Sequence, residues 1–125
     1  MALQTNGFVN RRQRDRKFSK HGSEFGASNP EEYERMADGF LGGPAPTGVL
    51  EGYRPEGDVL RYDPNTGMFG ILDRGRTIRS FYKPVPCSSI HDPILRRIAI
   101  DSGMCHGHPD NLSYFQSECA RTYGN

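Results

Sequence analysis

Two short segments of the sequence carry side chains that could act together on a phosphodiester. The first contains Lys20 and His21, and the second contains Ser80, Tyr82 and Lys83. A histidine exchanges protons near neutral pH, while an ammonium group or a hydroxyl stabilises the charge on a crowded phosphorus. Cleavage of RNA by its own 2′-hydroxyl needs these groups and no metal ion. The two segments therefore predict a catalytic site that uses neither a metal nor a cofactor.

Each of these residues also has a simpler interpretation. A single histidine in a glycine-rich loop is most often a solvated surface residue. Tyr82 is more typical of a packed strand aromatic than of a platform for base stacking, and Lys83 before Pro84 is typical of an exposed strand end. The residue types alone therefore leave open both a catalytic role and an ordinary surface or packing role.

Strand geometry divides the second segment into two faces. In a regular strand Ser80 and Tyr82 share one face, and Arg79, Phe81 and Lys83 share the other. A hydroxyl, an aromatic ring and basic side chains are typical of a cleft that binds RNA. We therefore expect Arg79 to bind substrate.

The charge of the chain is unevenly distributed. The net charge is only +1, but residues 1–20 contain six basic residues and one acidic residue. We expect residues 1–17 to form a basic arm that is disordered or weakly helical, with Arg16 and Lys17 helping to bind a polyanion. A solvated, frayed terminus would explain the same composition.

Length and composition indicate a single small domain. The 125 residues include 34% hydrophobic residues, 15 glycines and 9 prolines, which favours short elements and many loops. No apolar run is long enough to span a membrane, and the first residues do not look like a signal peptide.

Three cysteines, all in the last third, are not typical of a disulfide framework. One disulfide with a spare thiol and three free thiols are both open. Cys105, His106, His108 and Cys119 could be considered as zinc ligands, but their spacing matches no zinc-finger pattern. A tail helix with a buried cysteine is favoured, and no metal site is predicted.

The remaining pattern predicts an α+β fold. Residues 18–29 are predicted to form a connection that leads to a helix, and Ser28 or Asn29 caps the helix. Gly42 and Gly43 end the helix, and its apolar residues fall on one stripe: Tyr33, Met36, Ala37 and Phe40. Glycine-containing turns then separate four candidate strands: 49–54, 58–62, 68–72 and 77–83. We expect the helix to cover one face of a twisted antiparallel meander of four to five strands.

The tail is predicted to be helical. Apolar residues have helical spacing from Pro93 to Ile100 with Gly103 as a stop, and a last helix is expected from Pro109 to Tyr123 with Leu112, Phe115 and Cys119 on one stripe. The predicted organisation is a basic arm (1–17), a core (18–86) and a helical extension of the same domain (87–125).

Residues 17–84 resemble colicin D-like toxin domains and the C-terminal toxin domains of contact-dependent growth inhibition proteins. These belong to the barnase–EndoU–colicin–RelE (BECR) group of metal-independent RNases. The resemblance rests on two signatures in the same order, Lys20-His21-Gly22-Ser23-Glu24-Phe25-Gly26 and Ser80-Phe81-Tyr82-Lys83-Pro84. Residues 87–125 have no counterpart in this resemblance.

The resemblance implies a role for each matching residue. His21 would be the general base or acid, Lys20 and Lys83 would contact the scissile phosphate, Ser80 would help to hold it, and Tyr82 would line the cleft. Phe25 and Gly26 would turn the chain into the following helix. The expected products of 2′-hydroxyl attack end in a 2′,3′-cyclic phosphate.

The resemblance also implies a biological setting. Such domains are delivered as the C-terminal end of a larger secreted or cell-surface protein and cleave tRNA in the cytoplasm of a target bacterium. A cognate immunity protein masks the cleft, and the need for a host accessory factor is left open. We expect a monomer with no membrane segment. The alternatives are a non-catalytic RNA-binding module, or an interaction domain of a secreted or phage assembly.

Overall fold

The computed structural model describes residues 3–121. Within them the chain forms an α+β domain, as predicted, with four α-helices and one four-stranded antiparallel sheet. The elements are α1 (Arg11–His21), α2 (Pro30–Gly42), β1 (Leu50–Tyr53), β2 (Val59–Tyr62), β3 (Phe69–Leu72), β4 (Ile78–Tyr82), α3 (Pro93–Ser102) and α4 (Asn111–Ala120). No helix among residues 3–121 is long and apolar enough to cross a membrane.

Helix α1 extends further than the sequence indicated. The Asn10 side chain caps it by accepting from the backbone N–H of Gln13 at 2.9 Å. Residues 11–17 are helical, and residues 18–21, predicted as part of a connection, continue the same helix. Phe18 fastens this last turn by packing edge-on against Tyr33, with ring centroids 6.1 Å apart. The loop prediction was wrong for these four residues because a tertiary contact extends the helix.

The N-terminal segment is packed against the domain. Asp38 of α2 accepts hydrogen bonds from the backbone and hydroxyl of Thr5 at 2.7 and 2.6 Å, and from the backbone of Gln4 at 2.9 Å. Phe8 is buried and forms a parallel bridge with Ile78 at the outer edge of β4. The predicted disorder therefore does not extend to residues 4–8. Burial opposes ionisation of Asp38, but these hydrogen bonds outweigh it and lower its pKa below 3.8.

Helix α2 and the sheet follow the predicted pattern. Asn29 caps α2, Pro30 is its first residue, and Tyr33, Ala37 and Phe40 are buried. The sheet order is β1-β2-β3-β4, with each strand antiparallel to the next. The meander prediction is confirmed.

The sheet separates two apolar clusters. One packs between the sheet and α2, and the other packs between the sheet and α4, where Phe115 is the buried anchor. The predicted helix therefore covers one face, and the C-terminal extension covers the opposite one.

A disulfide fixes the base of the tail. Cys87 is bonded to Cys105, and Cys119 is free, which settles the question left open by the odd cysteine count. Helices α3 and α4 lie where tail helices were predicted, and Gly103 ends α3 in a left-handed conformation (φ 71°). Tyr123, the predicted end of the last helix, lies outside the described residues.

Candidate active site

A cleft of about 610 Å³ opens beside β4, between the end of α1 and the C-terminal segment. All five residues predicted for catalysis line it: Lys20, His21, Ser80, Tyr82 and Lys83. Lys17 also lines the cleft, whereas Arg16 does not and is exposed, donating to the side chain of Gln13 at 3.0 Å. The fold thus gathers two segments that are distant in the sequence.

His21 is the last residue of α1 and is largely buried, with 16% of its side chain exposed. Its Nδ1 lies 2.7 Å from Oε2 of Glu24. Because a carboxylate accepts hydrogen bonds, the neutral ring carries its proton on Nδ1 and its lone pair on Nε2. Nε2 makes no hydrogen bond to residues 3–121, so it is available to take a proton from a substrate.

Glu24 was not among the predicted site residues, although it belongs to the first signature. It lies in a single 3₁₀ turn, Gly22–Glu24, that follows α1. Its second oxygen, Oε1, accepts from the backbone N–H of Lys83 at 2.7 Å. One carboxylate therefore orients the His21 ring and ties the end of α1 to the end of β4. Its spacing, three residues after His21, was the signal available in the sequence.

Tyr82 forms the floor of the cleft and contacts both walls. Its ring stacks on His21, with centroids 5.2 Å apart and planes 27° apart, and its hydroxyl hydrogen-bonds the hydroxyl of Tyr114 in α4. Burial, followed by the neighbouring Tyr114, raises the pKa of Tyr82 far above its ordinary value. Tyr82 therefore acts through its ring and its fixed hydroxyl, and does not ionise at neutral pH.

His106 supports the wall opposite α1. Its ring stacks on Tyr114, with centroids 4.3 Å apart and planes 12° apart. Its Nε2 bonds Oδ1 of Asn111 at 2.8 Å, and its Nδ1 accepts from the backbone N–H of His108 at 3.2 Å. The amide of Asn111 also donates to the carbonyl of Pro84 at 3.0 Å, which fixes its orientation. With both ring nitrogens engaged, His106 serves as a positioning residue, and no helical or strand pattern pointed to it.

A β-bulge redirects the residues of β4. Ser80 pairs with Ile71 but Ile78 pairs with Leu72, so Arg79 is an extra residue on this strand. Arg79 has 44% of its side chain exposed and lies beside the cleft, whereas Phe81 is buried against α2. The prediction that Arg79 and Phe81 share a face was wrong, because it assumed unbroken alternation.

The cations of the site are held in different ways. The Lys83 ammonium lies 5.5 Å from the centre of the Phe25 ring. Lys17 is half-buried, and burial together with the neighbouring charges of Arg16, Lys20 and Arg79 lowers its pKa. Lys20 is exposed at the cleft rim. Among residues 3–121, the lining of the cleft thus includes three lysines and one carboxylate, that of Glu24.

Two of the residues considered as zinc ligands, Cys105 and His106, make other contacts. The sulfur of Cys105 is bonded to Cys87, and within residues 3–121 no three His, Cys, Asp or Glu side chains are grouped as a metal site would require. His106 is engaged by Asn111, as described above. What the cleft offers instead is an oriented histidine, a hydroxyl and several ammonium groups.

These groups can accept one proton and can bind a phosphate. No protein-family model matches the sequence, and no curated protein matches it either.

Proposed function

We propose that this chain is a metal-independent endoribonuclease that cleaves tRNA by attack of a 2′-hydroxyl on the adjacent phosphate. The observation that carries the proposal is the His21–Glu24 pair at the wall of a lysine-lined cleft. A histidine whose Nδ1 proton is held by a carboxylate presents Nε2 as a base. The resemblance to colicin D-like domains supports the same reading.

In the proposed reaction His21 Nε2 takes the proton of the 2′-hydroxyl. The 2′-oxygen then bonds to phosphorus, and the bond to the 5′-oxygen breaks to leave a 2′,3′-cyclic phosphate. Lys20 and Lys83 neutralise the phosphorane oxygens, and the Ser80 hydroxyl donates a hydrogen bond to them. The leaving 5′-oxygen gains a proton, which the ammonium group of Lys20 or Lys83 would donate.

Tyr82 has a binding role in this proposal. Its ring already stacks on His21, and its neighbour Tyr114 extends the aromatic surface toward the tail. Bases of single-stranded RNA stack on such surfaces with little sequence preference. A base next to the scissile phosphate would lie against the part of the Tyr82 ring that His21 and Phe69 leave uncovered.

The proposal also includes the biological setting that the resemblance implies. The domain would act as a monomeric toxin delivered at the C-terminal end of a larger secreted or surface protein, and would cleave tRNA in the target cytoplasm. A cognate immunity protein would neutralise it by covering the cleft. Growth arrest on cytosolic expression, relieved by that protein, is the corresponding cellular test.

The biochemical test is cleavage of total tRNA in EDTA. The wild-type chain should cut, His21→Ala should lose about 10²–10⁴-fold in rate, and His91→Ala should cut like wild type. His91 is an exposed histidine of the tail and gives a matched control. Intact tRNA with the wild-type chain, or equal cleavage by His21→Ala, would refute the proposal.

A non-catalytic RNA-binding module would give a different result. It would bind tRNA in a salt-dependent way and leave it uncut in every variant. An interaction domain would neither bind nor cut it.

A further inference from the structure

Helix α1 carries a line of cations on its outer face. Arg12, Arg16 and Lys20 follow one another at intervals of four residues, so their side chains lie along the same side of the helix. All three residues are exposed. This line of three residues, the basic ridge, is about 12 Å long, because an α-helix rises about 1.5 Å per residue. It ends at Lys20, on the rim of the cleft.

The domain does not neutralise the charges of the basic ridge. Within residues 3–121 none of its three side chains makes a salt bridge, and Arg16 donates only to the neutral side chain of Gln13, at 3.0 Å. Arg14 of the same helix shows the contrast, because it faces α2 and has only 14% of its side chain exposed. Three carboxylates lie within 4 Å of Arg14: Asp15 at 3.2 Å, Glu31 at 3.4 Å and Glu34 at 3.7 Å.

The cations of the basic ridge also oppose the formation of the helix that carries them. Arg12 lies in the first turn of α1, where the helix dipole is positive and where no acidic residue offsets it. Arg12 with Arg16, and Arg16 with Lys20, are like-charged pairs four residues apart, which destabilise a helix. Helix α2 follows the opposite rule and has two glutamates in its first turn. Sequences depart from such local rules mainly where function requires it, and a bound polyanion would offset these repulsions.

The chemistry of this face suits a nucleic-acid backbone better than a protein. Phe18 is the only hydrophobic residue of α1, and its ring packs against Tyr33. The outer face therefore lacks the apolar centre that protein–protein interfaces have. Rows of exposed arginine and lysine side chains are typical of surfaces that bind phosphates along a strand.

We propose that the basic ridge binds the sugar–phosphate backbone of the tRNA outside the cleft, on the stretch next to the cleaved bond. This inference rests on the proposed ribonuclease function. Lys20 contacts the scissile phosphate, and Arg16 and then Arg12 hold phosphates at increasing distance from it. Contacts to phosphates carry no sequence information, so the basic ridge supplies affinity and orients the strand toward His21.

The test measures the binding of fluorescent tRNA by anisotropy at a series of salt concentrations. Every chain carries His21→Ala, so that the tRNA stays intact, and this parent is compared with Arg12→Gln, Arg16→Gln and Arg16→Lys. Arg97→Gln is the control matched in charge, because Arg97 is exposed on α3 with 74% of its side chain accessible. Melting temperatures are measured for each variant.

Arg12→Gln and Arg16→Gln should each weaken tRNA binding by about three- to tenfold at low salt. Each should also reduce the steepness of log K against log salt by about 0.9, the duplex value for one phosphate contact. Arg16→Lys, which keeps the charge, and Arg97→Gln should bind like the parent. Neither glutamine substitution on the basic ridge should lower the melting temperature, because each removes a repulsion between like charges.

Four results would overturn the basic ridge as a binding surface. They are equal binding by Arg97→Gln and either glutamine variant, a loss in Arg16→Lys as large as that in Arg16→Gln, a melting temperature that falls together with binding, and no salt-dependent binding by the parent. Cleavage by the wild-type chain is assayed separately in EDTA. Binding that depends on the basic ridge, in a chain that never cuts tRNA, would refute the ribonuclease and leave the ridge. Cleavage with binding that ignores the ridge would refute the ridge alone.

Discussion

Replacing Glu24 by glutamine tests how the histidine is oriented. Its carboxylate contacts His21 Nδ1 at 2.7 Å and the Lys83 N–H at 2.7 Å, one oxygen to each. Glutamine has one acceptor oxygen, and the Lys83 N–H requires it. The amide nitrogen then faces Nδ1, which must accept, so the ring proton moves to Nε2. The Glu24→Gln chain would therefore hold the tautomer that cannot act as a base.

We expect the Glu24→Gln substitution to slow tRNA cleavage by about 10²–10⁴-fold, the range for loss of a positioned base. The lost charge-assisted hydrogen bond should cost about 1–2 kcal/mol of unfolding free energy, since Glu24 has 25% of its side chain exposed. Glu31→Gln is a matched control, because Glu31 has 57% of its side chain exposed on the first turn of α2.

Single-turnover cleavage in EDTA gives the rate, and ¹⁵N NMR of the imidazole gives the tautomer. The expected result is a slow variant whose His21 carries its proton on Nε2. Cleavage at the wild-type rate, or a proton that stays on Nδ1, would show that Glu24 does not orient the base.

Three further predictions concern the framework of the domain. Asp38→Asn should lower the free energy of unfolding by about 1–3 kcal/mol at neutral pH. The difference from wild type should shrink as the pH falls through the pKa of Asp38 in the folded chain, which lies below 3.8. Chemical denaturation at a series of pH values measures this difference, and a difference that stays constant would contradict the prediction. Gly52→Ala places its Cβ 2.5 Å from Sγ of Cys119 and should lower the free energy of unfolding by about 1–3 kcal/mol. Gly39→Ala adds a Cβ to open space on α2 and should raise the free energy of unfolding by about 0.5–1 kcal/mol. Equal melting temperatures for these two variants would contradict the close contact between Gly52 and Cys119. Cys105→Ser opens a disulfide loop with a sequence separation of 18 and should cost about 3 kcal/mol, an effect that reductant should reproduce in wild type.

The parts of the fold that local chemistry determines were predictable. Asn29, Pro30 and the apolar stripe specify α2, and glycine-containing turns delimit the four strands to within one or two residues. These signals act over a few residues, so one sequence contains them. The five residues expected at the cleft also lie together, because the last turn of α1 carries two of them and β4, with the residue that follows it, carries the other three.

The features that were missed depend on partners distant in the sequence. The bulge at Arg79 exists only in the pairing of β4 with β3, and α1 continues to His21 because Phe18 meets Tyr33. His106 reaches the cleft through a disulfide and a stack on Tyr114 that no periodicity indicates. Glu24 was visible in the signature, but its role depends on Lys83.

The proposed ribonuclease activity is tested by incubating total tRNA in EDTA with wild type, His21→Ala and His91→Ala. Wild type and His91→Ala should produce discrete fragments ending in a 2′,3′-cyclic phosphate, and His21→Ala should leave the tRNA intact over the same time. Intact tRNA in all three reactions, or the same fragments in all three, would contradict the proposed activity.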